Sequence, residues 1–498
     1  MNVSFPARLL SALCALLLAP APPLAQGKGP DPRLAQAKRL LAHSREGQVT
    51  QGKNICVRAN SVQSVELLLH VLQQTSPRGL AAAHYRDIVW DGLVQITDLY
   101  ARRRVERELK KGRSAWVRQW CAELLGIYGD AEFGPSLTRA LSDQDAVKRA
   151  AARSLGIVRF EPAAPALIKL IHKKNIFIRA NAVEALALID SKKYEETFLK
   201  ALQDTDGGVR CALLGAAAGI YPDKIEQLSA ATLQDPDWRP RLQAVDNLTQ
   251  IRTKTSVDAL IEAVRDARPA VTVRAVKALQ SMTGKEIHLY DVWKKWWQAN
   301  RADFEFPDGA GGAAAPADDR TVVYNDIPVV SDHVAFLIDK SRRMIDRLQS
   351  KQGSKEMEAQ RELNRVLSKL RGRLVFNVFV YREDARAFSK KAVKLDARNQ
   401  KAATSFVRRA KSRGAKDIWN VLEKVVSDPD LDTAYLLSSG EPDVGLYVHW
   451  NRVTAHLRDL NRFHKVVVHT VVYSERKWFR DQLEKIAQVT GGEFKWFK

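Results

Sequence analysis

Between residues 60 and 285, apolar positions recur with a period near 31. The pairs Val117-Arg118, Val147-Lys148, Ile178-Arg179, Val209-Arg210, Pro240-Arg241 and Val273-Arg274 are spaced by 30, 31, 31, 31 and 33 residues. A second ladder, Leu141, Ile171, Leu202, Leu233 and Val264, runs in phase with steps of 30, 31, 31 and 31. Two ladders in phase mark a repeat built from one supersecondary unit. Just ahead of these pairs stand Ser114, Asp145, Asn175, Asp206 and Asp237, whose side-chain oxygens suit the free N–H groups at a helix start. Small and apolar residues follow at helical spacing, as in Ala150, Ala151, Ser154 and Leu155. Each unit therefore predicts two antiparallel helices. One such hairpin cannot bury its own apolar face, so the units must stack.

Thr283-Gly284-Lys285 is expected to stop the last repeat. The helix after it carries Trp293, Trp296 and Trp297 on one face, either to cap the stack or to offer an aromatic platform. Residues 307–319, mostly Gly, Ala, Pro and Asp, predict a flexible linker. Beyond it the pattern changes. Residues 334–338, 374–381, 433–437 and 466–473 are apolar, β-rich runs, separated by amphipathic stretches at 344–370, 417–426 and 475–488. Apolar strands alternating with helices predict a parallel sheet covered on both faces. Ligands on such sheets gather where strand C-termini meet at a topological switch point.

The repeat pattern resembles HEAT repeats, in particular the short bacterial kind also found in phycobilin lyase-like proteins, which implies a curved solenoid with a concave binding surface. The segment His333-Val-Ala-Phe-Leu-Ile-Asp339-Lys-Ser341-Arg-Arg343-Met344, with Gly414-Ala-Lys416-Asp417-Ile418 and Tyr435-Leu-Leu-Ser-Ser439-Gly440-Glu441-Pro442, resembles the three metal-site segments of von Willebrand factor type A domains. The expected fold is thus an all-α HEAT-like superhelical solenoid followed by an α/β doubly wound, Rossmann-like domain of that type. The expected division is a signal peptide over 1–25, an N-terminal extension over 26–59, helical repeats with a Trp-rich cap over 60–304, a linker over 305–320 and the type A-like domain over 321–498. The leader is read from Arg8, the apolar run 9–18 and the breakers Pro20, Pro22 and Pro23 ahead of Ala25, and it implies a periplasmic or secreted protein. No later segment reaches 18 consecutive apolar residues, so no transmembrane span is expected.

In the type A family the motif Asp-x-Ser-x-Ser, a later Thr and a later Asp hold a divalent cation. Here Asp339 and Ser341 remain, whereas Arg343, Lys416 and Ser439 replace the second Ser, the Thr and the Asp. Cations repel a divalent ion where oxygens would bind it, so no bound metal and no cofactor are expected. Lys416 or Arg343 should pair with Asp339 instead. The chain carries a formal charge of +22, about +12 of it beyond residue 320. Lys340, Arg342, Arg343, Arg413 and Lys416 are read as a basic rim. That rim either captures an acidic group of a partner or is a decayed site whose charge serves solubility.

Enzymatic signatures are missing. There is no HExxH, GxSxG or GxxxxGK[ST] motif, and His464 and His469 fall on opposite faces of one expected strand. Cys56, Cys121 and Cys211 form no CxxC pair, and are read as buried thiols of which one pair could oxidise. The expectation is a non-enzymatic scaffold for an unknown protein or anionic polymer. Two alternatives are a metal-dependent adhesion module with a rebuilt cation site and a nucleic-acid-binding repeat protein. The second needs a cytoplasmic chain, so no nucleic acid is expected.

Overall fold

The Val-Arg pairs set the geometry of the helical array. In the computed structural model, which describes residues 31–74, 83–307, 322–348, 353–370 and 374–497, Val117, Val147, Ile178 and Val209 are buried. The arginine after three of these, and after Pro240, is engaged inside the array. Arg118, Arg179, Arg210 and Arg241 each clamp an aspartate 25 residues on (Asp143, Asp204, Asp235, Asp266) through Nε and Nη2 at 2.5–2.9 Å. Nη1 of each donates to the carbonyl six residues back. Each arginine thus ties its own helix start to the turn before it and to the next repeat. Lys148 lacks the planar fork that bidentate pairing needs and reaches only Asp145, at 3.5 Å.

Several sequence expectations shift by a residue or more. Asn175, Asp206 and Asp237 do cap their helices. Asp145 instead lies inside helix Asp145–Ile157, and Ser114 caps without a side-chain bond. The sixth rung is not Val273-Arg274. Buried Val271 and Thr272 hold that place, with Thr272 Oγ1 donating to the Asp266 carbonyl six residues back, as the arginines do. The array also begins before residue 60. Helices Pro32–Leu41 and Glu46–Ala59 pack on each other and on Val62–Gln74 and Ala83–Val94, so the expected N-terminal extension belongs to the stack. At the far end, Trp293 and Trp297 are buried and Trp297 Nε1 donates to Asp258 at 2.6 Å. The Trp-rich helix Tyr290–Asn300 packs on Lys254–Ala263. The expected leader over 1–25 and the linker from residue 308 lie outside the described residues.

Ala115–Tyr128, Asp145–Ile157, Ile176–Ile189, Gly207–Ile220, Trp238–Ile251 and Pro269–Thr283 form a continuous row of second helices. Glycine permits the closest step along it. A Cβ on Gly126 would lie 2.3 Å from Ser154 Oγ, and one on Gly156 would lie 2.8 Å from Ala185 Cα.

The C-terminal domain opens with a short hairpin, β1 (Val323–Tyr324) and β2 (Ile327–Pro328). Its sheet contains β3 (His333–Asp339), β4 (Val375–Tyr381), β5 (Ala385–Ala387), β6 (Val393–Lys394), β7 (Thr433–Ser438), β8 (Val467–Val472) and β9 (Phe494–Trp496). The order is β5-β4-β3-β7-β8-β9, with β6 also on β4. Strands β3, β4, β7, β8 and β9 are parallel, while β5 and β6 run antiparallel to β4. From β3 the chain passes first to β4 on one side and then crosses to β7 on the other. The switch point of this doubly wound sheet therefore lies at the ends of β3 and β7. The helix expected over 344–370 is confined to Lys355–Lys369. His464 is not on a strand: it lies in the turn before β8, against Phe177.

The α/β domain does not hang free of the array; it docks along the row of second helices. Buried Arg86 donates to the Gly445 carbonyl at 2.6 Å, and buried Asp87 accepts the N–H groups of Val448 and His449 at 2.9 and 2.8 Å. Arg452 of helix Trp450–Asn461 sits 3.8 Å from the Trp90 ring and 4.5 Å from that of Trp120. Further along, Arg153 pairs with Asp459, Arg462 with Glu184, Lys465 with Asp246 and Arg268 with buried Asp432. Phe463 packs edge-on against Phe177 and offers its carbonyl to Arg239. One hydrophobic core runs from the first helices of the array into the α/β domain, including Trp90, Trp120, Tyr447, Trp450 and Leu457. This face of the array is thus engaged by the chain's own α/β domain.

Candidate functional site

At the switch point the sequence brings three side chains together. Asp339 ends β3, Ser439 follows β7, and Lys416 precedes Asp417, the N-cap of helix Ile418–Val426. The Lys416 backbone is pinned to the loop after β7, because its carbonyl accepts from Asp443 N and Val444 N and its own N–H donates to Asp443. That anchoring aims the side chain inward. Lys416 Nζ lies 2.8 Å from Asp339 Oδ2, 3.0 Å from Ser439 Oγ and 3.2 Å from the Gly440 carbonyl. An ammonium has three protons, and all three are used.

Asp339 is equally saturated. Oδ1 accepts from Ser341 N at 2.7 Å, and Oδ2 accepts from Ser439 N and Oγ at 2.9 and 2.7 Å besides Lys416. Both Asp339 and Lys416 are fully buried. Burial works against the charged carboxylate, yet the Lys416 charge and the hydrogen bonds from Lys416, Ser341 and Ser439 hold Asp339 below its ordinary range. This is a neutral, closed unit.

The residues read as one basic rim divide into two groups. Lys416 and Lys340 are buried and do not face a partner. Lys340 is turned to Glu356, since a buried ammonium needs a counter-charge, and burial lowers its pKa against that pairing. Arg342 and Arg413 are exposed and Arg343 is half-buried. The Arg343 guanidinium lies over Gly440, where a Cβ would come within 2.5 Å of Nη1, and it stands 3.6 Å from Asp443. The guanidinium thus stands beside Gly440, whose carbonyl accepts from Lys416.

A divalent cation at these strand ends would need oxygen donors around open space. The only carboxylate of the expected set, Asp339, is already neutralised by an ammonium at contact distance, and the Arg343 guanidinium stands beside the neighbouring Gly440. These residues do not fit a divalent ion.

The sequence reading missed a groove beside this site. A cavity of about 390 Å³ is lined by Val380 and Phe406 together with Arg382, Arg386, Arg409, Lys411 and Arg413. Asp384 is shared by Arg382 and Arg386, at 3.4 Å from each. The signal was the run Arg408 to Arg413, with four cations in six residues, but only the fold brings Arg382 and Arg386 across from it.

Buried thiols account for the cysteines. Cys56, Cys121 and Cys211 are free, and burial pushes Cys56 and Cys211 to about 12.

A family model for HEAT repeats matches residues 105–178 and 225–290. No curated protein sequence matches the chain. Among solved structures, a von Willebrand factor type A protein from Catenulispora acidiphila is 18% identical with a TM-score of 0.28, covering 33% of this chain and 38% of its own. The complex of CpcE and CpcF of phycocyanin lyase from Nostoc sp. PCC7120 is 18% identical with a TM-score of 0.26, covering 56% of this chain and 98% of its own. Human deoxyhypusine hydroxylase is 16% identical with a TM-score of 0.25, covering 49% and 91%. This chain therefore spans well under half of the first of these. The paired helices and the strand order, not these alignments, define the fold.

Proposed function

For a chain that joins a HEAT-repeat array to a von Willebrand factor type A-like domain, we propose an exported, non-enzymatic binding protein. Its α/β domain recognises an acidic group of a protein or anionic polymer, and its array holds that domain in place. The observation that supports this reading is the Lys416 ammonium, sealed against Asp339 and Ser439 at the position where the family would hold an ion. Recognition through a bound cation then gives way to recognition by fixed guanidiniums, those of Arg342, Arg343 and Arg413 and of the adjoining groove. Export rests on the leader-like residues 1–25 and places the protein in the periplasm or outside the cell. No helix among the described residues is long and apolar enough to cross a membrane.

The test is retention of the full chain on immobilised poly-L-glutamate. The variant R342E/R413E, altered at two exposed positions, is expected to elute at clearly lower salt, as loss of surface cation contacts predicts. Elution at the same salt rejects the basic-rim reading. Once the protein has been stripped with chelator, thermal melts with and without added Mg²⁺ should coincide, since only an ion bound to the folded form raises stability. N-terminal sequencing of the native protein is expected to start after the leader; an intact residue 1 would reject export.

A further inference from the structure

Three side chains far apart in the sequence, Glu46, His84 and His449, each present one ligand atom, and these atoms all lie within 4.8 Å of one another. Glu46 opens helix Glu46–Ala59, His84 stands in the first turn of Ala83–Val94, and His449 caps Trp450–Asn461. Two ligands thus come from the array and the third from the α/β domain. The cluster exists only because the domains dock.

The local backbone holds His449 there. Its N–H and that of Val448 are fixed on the Asp87 carboxylate, and Gly445 is held by Arg86. The His84 and His449 rings are 6.1 Å apart between centroids and inclined at 57°. Asp91 Oδ2 stands 3.9 Å from His449 Nδ1. Both imidazoles are half-buried, while Glu46 faces solvent and leaves a path for an ion.

Two imidazoles and a carboxylate suit a borderline transition-metal ion and not Mg²⁺ or Ca²⁺, which take oxygen ligands. Metal-bound histidines commonly turn their second nitrogen to a carboxylate, which fixes the ring, and Asp91 is placed to do this for His449. We propose that Glu46, His84 and His449 form a Zn²⁺ site that bridges the helical array and the α/β domain, with Asp91 holding the Nδ1 side of His449. The site is separate from the Lys416–Asp339 unit, and its failure would leave the proposed function untouched. Metal binding would fasten the first repeats to the loop 445–449 and make domain docking respond to available zinc.

The experiment titrates the full chain, stripped with chelator, with Zn²⁺ against a fluorescent competing chelator, followed by a thermal melt. One Zn²⁺ per chain and a raised melting temperature are expected, with no effect of Mg²⁺. H84A and H449A should each weaken binding by roughly tenfold or more, at least the loss typical of an altered metal shell. E46Q and H84A change partly exposed side chains, so they carry the test if H449A does not fold; melts in chelator that match the parent verify them. Co²⁺ in place of Zn²⁺ should give visible absorption without a thiolate charge-transfer band, which separates this site from Cys56, Cys121 and Cys211. Stoichiometric binding that survives in both E46Q and H84A, or no binding by the parent chain, overturns the proposal.

Discussion

Replacing Lys416 by methionine would keep the length of the buried side chain and delete its charge. Asp339 would retain its bonds from Ser341 N, Ser439 N and Ser439 Oγ but lose its ion-pair partner Lys416. Removing one member of a buried pair costs about 3–5 kcal/mol, because the other charge is left uncompensated. For a domain of this size each kcal/mol lowers the melting temperature by roughly 2–4 °C, so a fall of roughly 6–20 °C is expected. The sign with pH is defined. In the parent, Asp339 is held below its ordinary range, so the pair's contribution is present above the unfolded carboxylate pKa and lost as pH falls through the lower folded one. In K416M only the hydrogen bonds from Ser341 and Ser439 still oppose burial, the carboxyl pKa rises, and the group takes up a proton in the folded state. The deficit should then be larger at pH 8 than at pH 5. Urea denaturation followed by tryptophan fluorescence at both values measures this, and D339N/K416M should recover most of the loss. A K416M protein as stable as the parent, or a deficit unchanged between the two pH values, refutes the reasoning. The complementary variant R343S/K416T/S439D restores two hydroxyls and a carboxylate at the three altered positions, and Mg²⁺ should raise its melting temperature where it leaves the parent unmoved.

Arg452→Gln removes the guanidinium between Trp90 and Trp120 and should weaken docking by about 2 kcal/mol, the scale of a desolvated cation–π contact. Hydrogen exchange in helices Ala83–Val94 and Ala115–Tyr128 should quicken; unchanged exchange contradicts it. Asp417 is buried and its pKa is pushed up to about 7, so its contribution is favourable at low pH and lost as pH rises through 7. Asp417→Asn keeps the cap on Asn420 and should add up to about 4 kcal/mol at pH 8 and progressively less as the pH is lowered, read from urea midpoints. His469 is buried neutral, pushed down to about 4 by burial. Because the unfolded imidazole binds a proton near pH 6.5, stability should fall by up to about 3 kcal/mol as pH drops from 6.5 to 4, and NMR should show the ring unprotonated at pH 5. Asp235→Ala, which frees Arg210 and the N–H of Asp237, should cost about 1.5–3 kcal/mol in chemical denaturation.

What could be read in the sequence was local and periodic. The buried branched residues of the repeat and the parallel strands follow from spacing and residue type, and the resemblance to the type A motif shows cations at Arg343 and Lys416 and a hydroxyl in place of a carboxylate at Ser439. The partners of the repeat arginines were legible too, since Asp143, Asp204, Asp235 and Asp266 each stand 25 residues after one. The rung at Val273-Arg274 was misplaced because the pattern of apolar residue and cation outweighed the 31-residue step, which Thr272 satisfies with a hydroxyl. Lys340 could not be told from Arg342 by sequence, because which of two cations two residues apart turns inward depends on Glu356 meeting it. The docking of the domains left no periodic trace. Arg452, Asp459 and Arg462 read as the polar face of an ordinary amphipathic helix, and nothing along the chain joins Glu46 and His84 to His449.

Stacked helical hairpins touch only their neighbours and can therefore behave as a spring. Here helices Ala83–Val94, Ala115–Tyr128, Asp145–Ile157, Ile176–Ile189, Trp238–Ile251 and Pro269–Thr283 are held to one α/β body, by Asp87, Trp120, Arg153, Glu184, Asp246 and Lys277 in turn. The body acts as a splint. Drawing the ends of the array apart would mean shearing several of these attachments together, so tension should be borne with little extension until the splint comes away.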